Sequence, residues 1–402
     1  MLKSLKVAGF LAFTSIRKGN PGVIILTVLI LTIVSLNLLF VPSLLNGLVT
    51  SANDKLKNTY AGDIVIESDT DDPLISRADD LCRRIRNIPG VQAVAPRNSL
   101  GAEVSFENHR VNCVVNGILP EQEKSVFTVD RWLIEGSYLE TGDRDQILLG
   151  AQLAGAEDPD LELYSRSLKT VHAGDEVEVV YADGVSKNYT VKGIFYTEFI
   201  QTDLQAFVSE KEFEAVNPMV TGKASSIRVK IYDEAAAGDI ISRINRLQDG
   251  LLILTWEDYA GIVRSMTDSF NVINTILNVV NVLVAAITVF IVTYIDVTSR
   301  RRQIGIQRAI GITRSSIGVA YLLRGLFLAI IAAIIASLLF LYVVMPVEAS
   351  HPFRFPLGNV YLVSGFPYLA RAALILVGAA LVAAFLPVWL ALRTKILDTI
   401  WG

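Results

Sequence analysis

Histidine and cysteine are nearly absent: three of the first and two of the second in 402 residues. His109, His172 and His351 are scattered, without a second histidine or a paired cysteine at ligand spacing, so no metal site is expected. Cys82 and Cys113 leave two readings, a disulfide in an oxidising compartment or two free buried thiols, the second being favoured. A phosphate-binding loop is lacking too: Thr221-Gly222-Lys223 runs into Ala224 with no upstream glycine. No enzyme site and no directly bound cofactor are expected. Charge is also thin, at 19% against 52% hydrophobic residues and a mean hydropathy of +0.45. That is too apolar for an ordinary soluble protein.

What is present is sharply segregated. Apolar runs long enough to cross about 30 Å of hydrocarbon fall at 21–50, within 272–297, at 317–347 and at 366–392. The first is too long for a signal-peptide core. The segments assigned to the cytoplasm carry Lys3, Lys6, Arg17, Lys18, Arg300, Arg301, Arg302, Arg308, Arg314, Arg393 and Lys395 against only Asp296 and Asp398. This is +9, leaving −13 for the rest of a chain whose net charge is −4. Basic short loops stay on the cytoplasmic side, so both termini are expected inside and the acidic remainder outside. The expected address is the plasma (inner) membrane, and no nucleic-acid partner is expected.

Residues 1–20 alternate basic and apolar positions, as an amphipathic helix lying in the interface does. From Trp256 to Arg302 there is no proline and Gly261 is the only glycine. A helix over that stretch would measure about 70 Å, roughly twice the bilayer, so 261–298 is read as stalk plus second span. Residues 51–260 read as one α+β domain. Strands near 63–67 and 226–232, each followed by a helix (75–87 and 235–247) and a second strand, form two β-α-β units. They bracket a β-rich insertion of about 117–222, in which Asp183-Gly184 marks a hairpin. A coupling loop at 299–316, an irregular outer loop at 348–365 and a tail at 393–402 complete the chain. The fold class is thus a membrane α-helical protein with four transmembrane helices and a large extracytoplasmic α+β domain inserted between helices 1 and 2.

Several motifs resemble the MacB/FtsX-type permeases, the type VII ABC transporters. They are Phe13-Thr14-Ser15-Ile16-Arg17-Lys18-Gly19-Asn20-Pro21 before the first span, and Glu135-Gly136-Ser137-Tyr138-Leu139 with Asp145-Gln146-Ile147-Leu148-Leu149-Gly150 in the domain. Ala173-Gly174-Asp175-Glu176-Val177 and Tyr189 to Phe195 extend the likeness. The most specific is Arg300-Arg301-Arg302-Gln303-Ile304-Gly305-Ile306-Gln307-Arg308-Ala309-Ile310-Gly311. The resemblance implies a homodimer, or a heterodimer with a sister permease, bound to a separate ABC ATPase that carries ATP and Mg. Closing of the ATPase moves the stalks, and the outer domain works on a lipoprotein, lipid, peptide or toxic amphiphile, or controls an envelope hydrolase. A membrane-fusion or adaptor protein is a further partner of this type. The chain departs from the family at Gln303, where Glu is usual, and at Arg324, where an acidic residue is common. The rival reading is a membrane-anchored sensor or scaffold whose outer domain binds ligand without an ATPase. A secondary carrier is disfavoured, since four helices are few and no inverted repeat is visible.

Three constellations carry the functional expectation. Arg300, Arg301, Arg302, Gln303, Gly305, Ile306, Arg308, Ile310 and Gly311 form a basic amphipathic segment, with Ile306, Ile310, Thr313 and Ile317 at helical spacing. By pattern alone it is either a helix for a partner's groove or an anchor against membrane lipids; the resemblance selects ATPase coupling. Asn271, Asn274, Asn278 and Asn281 share one helix face, expected to meet a neighbouring helix because unpaired amides are costly in hydrocarbon. Asp296 and Arg324 are expected to pair across adjacent helices.

Overall fold

The computed structural model describes residues 9–14, 17, 21–155, 166–259, 261–351, 353–355 and 358–393. Most of the interfacial segment 1–20, the tail beyond 393 and the side chain of Asn271 lie outside the described residues. The chain divides into two compact units, one of residues 1–47, 269–353 and 360–402, the other of residues 48–268 and 354–359.

In chain order the elements are α1 (Pro21–Lys55), a π-helical turn (Leu56–Ala61), β1 (Ile64–Ser68), α2 (Ala78–Arg86), β2 (Val91–Phe106), β3 (His109–Ile118), α3 (Pro120–Val126), β4 (Leu133–Gly136), β5 (Gln146–Gly150), β6 (Glu176–Tyr181), β7 (Ser186–Phe195), β8 (Gln205–Ser209), α4 (Glu210–Val216), β9 (Ser226–Ile231), α5 (Ala237–Asn245), β10 (Leu251–Thr255), α6 (Gly261–Ser299), α7 (Arg301–Ala309), α8 (Arg314–Leu339) and α9 (Phe366–Arg393). Four of the described helices are long and apolar enough to cross a membrane, and the α+β domain lies between the first and second of them.

The larger unit is built on a ten-stranded sheet with two parts, beside a two-stranded pair of Ile75–Ser76 with Lys223–Ala224. In the order β10-β1-β9-β2 every neighbour is antiparallel. Strands β1 and β2 of one β-α-β unit are thus split by β9 of the other, the ferredoxin-like arrangement. Helix α2 buries Ala78, Leu81, Cys82 and Ile85, the i, i+3, i+4, i+7 positions, against Ile64, Ile66, Ile227 and Val229. Asp79 and Asp80 in its first turn and Arg83, Arg84 and Arg86 in its last suit the helix dipole. Ile240 and Ile244 of α5 join the same core.

The second part is a closed ring. Strand β2 continues past the ferredoxin-like portion and pairs with β3; β3 pairs with β8, β8 with β5, β5 with β7, β7 with β6, and β6 with β2 again. Val104, Val115, Ile147, Leu149, Val179, Tyr189 and Val208 are among its buried core residues. The insertion therefore takes in more than 117–222: the second half of β2 and all of β3 belong to it. Sequence alternation could not show this, because a single 16-residue strand serves both parts.

In the smaller unit, α8 and α9 pack through small residues. Ala329, Ala332, Ala333 and Ala336 are buried with Leu376, Ala380 and Ala384, together with Leu31 of α1 and Val289 of α6. Alanine lets helix backbones approach closely where apolar lipid offers no hydrophobic drive. Two expectations need correction. Helix α6 ends at Ser299, and Arg300 (φ −108°, ψ 13°) breaks it before Arg302. The segment after Val347 is not all irregular: helix continues through a π turn (Phe340–Val344) to Ser350, and a short hairpin pairs Phe353–Phe355 with Gly358–Val360. Pro346 falls in the first turn after the π-helical stretch, where its missing N–H costs least.

Candidate functional site

The segment between the second and third spans folds as a separate short helix with defined ends. Gly311 adopts φ +98°, a left-handed conformation that only glycine holds without strain. This lets Gly311 N–H donate to the Arg308 carbonyl and Ile312 N–H to the Gln307 carbonyl, both at 3.1 Å, which is a Schellman ending for α7. Two residues on, Thr313 caps α8 by accepting from Ser316 N–H at 3.3 Å. The expected stripe Ile306-Ile310-Thr313-Ile317 is therefore not one surface. Ile306 and Ile310 are exposed (46% and 76%), while Ile317 belongs to α8 and is fully buried with Val297, Ile304 and Val388. On α7, Ile304, Gly305 and Arg308 face inward and Arg301, Arg302, Gln303 and Ile306 face out.

Asp296 is held between two arginines. Arg324 Nη1 lies 2.7 Å from one carboxylate oxygen and Arg300 Nε 3.2 Å from the other. All three side chains are largely buried, so a lone charge there would lack solvation, and the carboxylate ties the end of α6 and the start of α7 to the interior of α8. The share taken by Arg300 was not read from the sequence, although an i, i+4 spacing from Asp296 was its signal. Beside this cluster lies a cleft of about 180 Å³, whose walls include Thr14, Arg300, Gln303, Gln307, Tyr321 and Arg324.

Higher on α6, Asn274 Nδ2 donates to Asn46 of α1 at 3.0 Å, and Asn278 Nδ2 donates to Asn274 at 3.0 Å. Asn281 Nδ2 is buried without a hydrogen-bond partner among the described residues. Asn46 was missed because the asparagines of α1, Asn37, Asn46 and Asn53, are too widely spaced to form the three-and-four stripe seen on α6.

In the larger unit the end of the first helix is fastened on every side. Lys55 Nζ donates to the Thr197 carbonyl at 2.7 Å and pairs with Glu198 at 3.1 Å, and it sits 3.5 Å above the Trp132 ring. Glu198 also accepts from Asn359 Nδ2 at 2.5 Å. Lys57 pairs with Asp63 at 3.3 Å and with Glu234. The Asn58 carbonyl accepts from Thr128 N–H at 2.9 Å, and Lys230 Nζ donates to the Asn58 side-chain oxygen at 2.7 Å. The Tyr60 carbonyl accepts from Arg97 Nη1 at 3.2 Å, while Arg97 is paired with buried Glu123 and lies 4.1 Å over Phe127. Thr59 and Thr202 hydroxyls are 3.0 Å apart. Beside them, burial pushes the Asp203 carboxyl up to about 7, against the N–H and hydroxyl of Thr197, which both donate to it at 2.8 Å. None of this ring was visible in the sequence, since its members come from six separated stretches. Cys82 and Cys113 are free thiols, and burial pushes both up to about 12.

A family model described as FtsX-like permease C-terminal matches residues 275–396. A second, described as MacB-like periplasmic core domain, matches residues 24–247, more than half of the chain. Among solved structures, the extracellular domain of the noncanonic ABC-type transporter YknZ from Gram-positive bacteria aligns at 12% identity over 48% of this chain and 99% of its own, with a TM-score of 0.34. The periplasmic region of MacB from Actinobacillus actinomycetemcomitans aligns at 14% identity over 50% of this chain and 92% of its own, also with a TM-score of 0.34. No curated protein matches the chain.

Proposed function

The chain belongs to the MacB/FtsX-type permeases of type VII ABC transporters, and from that premise we propose that it passes motion from a separate ATPase to its α+β domain through its first two long helices. The observation that carries this reading is α7: a short helix with a glycine stop and a threonine start after it, presenting Arg301, Arg302, Ile306 and Ile310 outward. Two exposed isoleucines flanked by arginines suit the groove of an acidic-rimmed partner. The lever is supported by helix length. Pro21–Ala61 and α6 contain 41 and 39 residues, about 60 Å each, against about 30 Å of hydrocarbon. In this proposal α7 and both termini are cytoplasmic, the domain faces away from the cytoplasm across the inner membrane, and two copies or a sister permease share one ATPase pair. The Asn274–Asn278 face and the Asp296 cluster are assigned to holding the helices in register while they move. The load is a lipoprotein, lipid, peptide or amphiphile, or an envelope enzyme under control.

Gentle-detergent purification of the full chain from its own cells tests this. An ABC ATPase should copurify and be lost with Ile306→Asp/Ile310→Asp at unchanged permease yield. Repeated purification without any ATPase, or retention of it by the double variant, would refute the coupling role.

A further inference from the structure

We propose that the cleft beside Asp296 is a binding site for the phosphate headgroup of an anionic phospholipid. The wall is built from three separate stretches, a short helical segment (Thr14), the α6–α7 junction (Arg300, Gln303, Gln307) and α8 (Tyr321, Arg324). Two guanidinium groups stand against the single carboxylate of Asp296, which both of them touch, so positive charge outnumbers negative among the described residues at the cleft. The surroundings reinforce it. From Val297 to Val347 the sequence contains six arginines and no aspartate or glutamate. Basic pockets between spans at the membrane surface recognise anionic headgroups, and Gln303, Gln307, Thr14 and Tyr321 supply neutral hydrogen-bond donors around the cationic pair.

The cleft of about 180 Å³ is several waters in size, enough for a phosphodiester head. The adjoining slot between Thr27, Thr293, Tyr321 and Arg324 holds only about 30 Å³. The acyl chains are assigned to the outside. There Phe10 and Phe13, 69% and 64% exposed on the same short segment as Thr14, offer apolar surface. A soluble phosphate compound would have no use for that surface.

The site adjoins the face of α7 assigned to coupling. Arg300, Gln303 and Gln307 line the cleft, and exposed Gln303 lies one i, i+3 step from Ile306, at the edge the two surfaces share, while Arg302 stays outside the cleft wall.

The test reconstitutes the full chain, without any ATPase, into phosphatidylcholine nanodiscs containing a photoactivatable phosphatidylglycerol, and maps labelled peptides. Labelling at residues 9–14 and 300–307 should be competed by unlabelled phosphatidylglycerol and not by phosphatidylcholine. Gln303→Glu/Gln307→Glu should lower it roughly tenfold, as two added carboxylates oppose the headgroup. Arg302→Glu makes the same change in net charge at a residue outside the cleft wall and should leave it within about twofold. Gln303→Ala/Gln307→Ala, which adds no charge, should give an intermediate loss at an unchanged melting temperature. Equal loss in the two charge variants would mean bulk surface potential only. Competition by inorganic phosphate but not by phosphatidylglycerol would mean a soluble ligand. Either result, or labelling indifferent to Gln303 and Gln307, overturns the proposal. Because no ATPase is present, the outcome is independent of the coupling reading.

Discussion

Arg97 reaches across the domain to the Tyr60 carbonyl at 3.2 Å, and so places a cation at the carboxyl end of the first long helix. That end carries unpaired carbonyls and partial negative charge, and the guanidinium answers both. Its own charge is balanced by Glu123, with Arg97 and Glu123 only 2% and 1% exposed. Replacing Arg97 by Met strands a buried carboxylate, and the expected loss is about 3–5 kcal/mol. Arg97→Met/Glu123→Met leaves no stranded charge and should recover most of that loss. Thermal melts of the full chain in one detergent give the comparison. A double variant no better than the single one would show that the helix-end contact, rather than the ion pair, carries the energy.

How much of this was legible in the sequence depends on range. The four spans and the inserted α+β domain followed from apolar run length and charge segregation, both local properties. Strand β6 was readable because Glu176 to Val179 alternates and Asp183-Gly184 turns the chain, with Gly184 at φ +88°. Strand β8 was not, because Gln205 to Ser209 are all buried and show no alternation. Strand β2 was read only at its start, since Pro96 sits inside it opposite Ile227, and a proline argues against a central strand. The pairing that closes the ring joins Ala102 to Tyr181, and Lys55 meets Glu198 across a gap nearly twice as long. Contacts of that separation leave no periodic trace. The Asp296 cluster was half read, its Arg324 arm from the rarity of charge within a span, while its Arg300 arm left only an i, i+4 spacing as a signal.

That second arm changes what a charge swap should do. Asp296→Asn removes the only carboxylate that pairs with Arg324 among the described residues, and should cost about 3–5 kcal/mol, read as loss of folded yield and melting temperature. Asp296→Asn/Arg324→Met should be better tolerated than Asp296→Asn alone, because Arg300 is the more exposed of the two arginines. The swap Asp296→Arg/Arg324→Asp should not rescue, since the guanidinium introduced at position 296 would then face that of Arg300. Adding Arg300→Gln to the swap should restore part of the stability. Full rescue by the swap alone would mean that the Arg300 contact carries no weight.

Gly47 and Gly378 offer a paired test of space in the membrane unit. A methyl group on Gly47 would lie 2.1 Å from the Tyr361 carbonyl oxygen, while one on Gly378 meets nothing within 4 Å. Backbone cannot swing aside as a side chain can, so Gly47→Ala should destabilise by about 1–3 kcal/mol. Gly378→Ala, in the interior of α9, should be neutral or stabilising by up to about 1 kcal/mol. Melting temperatures in a single detergent separate the two. Equal tolerance of both would show that α1 and the strand after Gly358 can move apart at little cost.

The Asp203 carboxyl makes the stability of the larger unit depend on pH in an unusual direction. Its folded value is raised from the ordinary 3.8 to about 7, chiefly by burial, despite two donors from Thr197 and the nearby charge of Lys55. Between those two values the folded chain holds a proton that the unfolded chain has released. Stability therefore falls as pH rises from about 4 to about 7, then levels off once both states are ionised. Most carboxylates, with depressed values, act in the opposite sense over the acid part of that range. Asp203→Asn isolates this one group: the amide keeps the oxygen that accepts from Thr197 and cannot ionise. At pH 8 the variant should equal or exceed the parent, whereas near pH 4 the parent, already protonated, should match it. The difference should change by a few kcal/mol at most across the interval. Denaturant melts of both chains at each pH supply the measurement. A difference that stays flat from pH 4 to pH 8 would mean that Asp203 ionises as freely inside the fold as outside it.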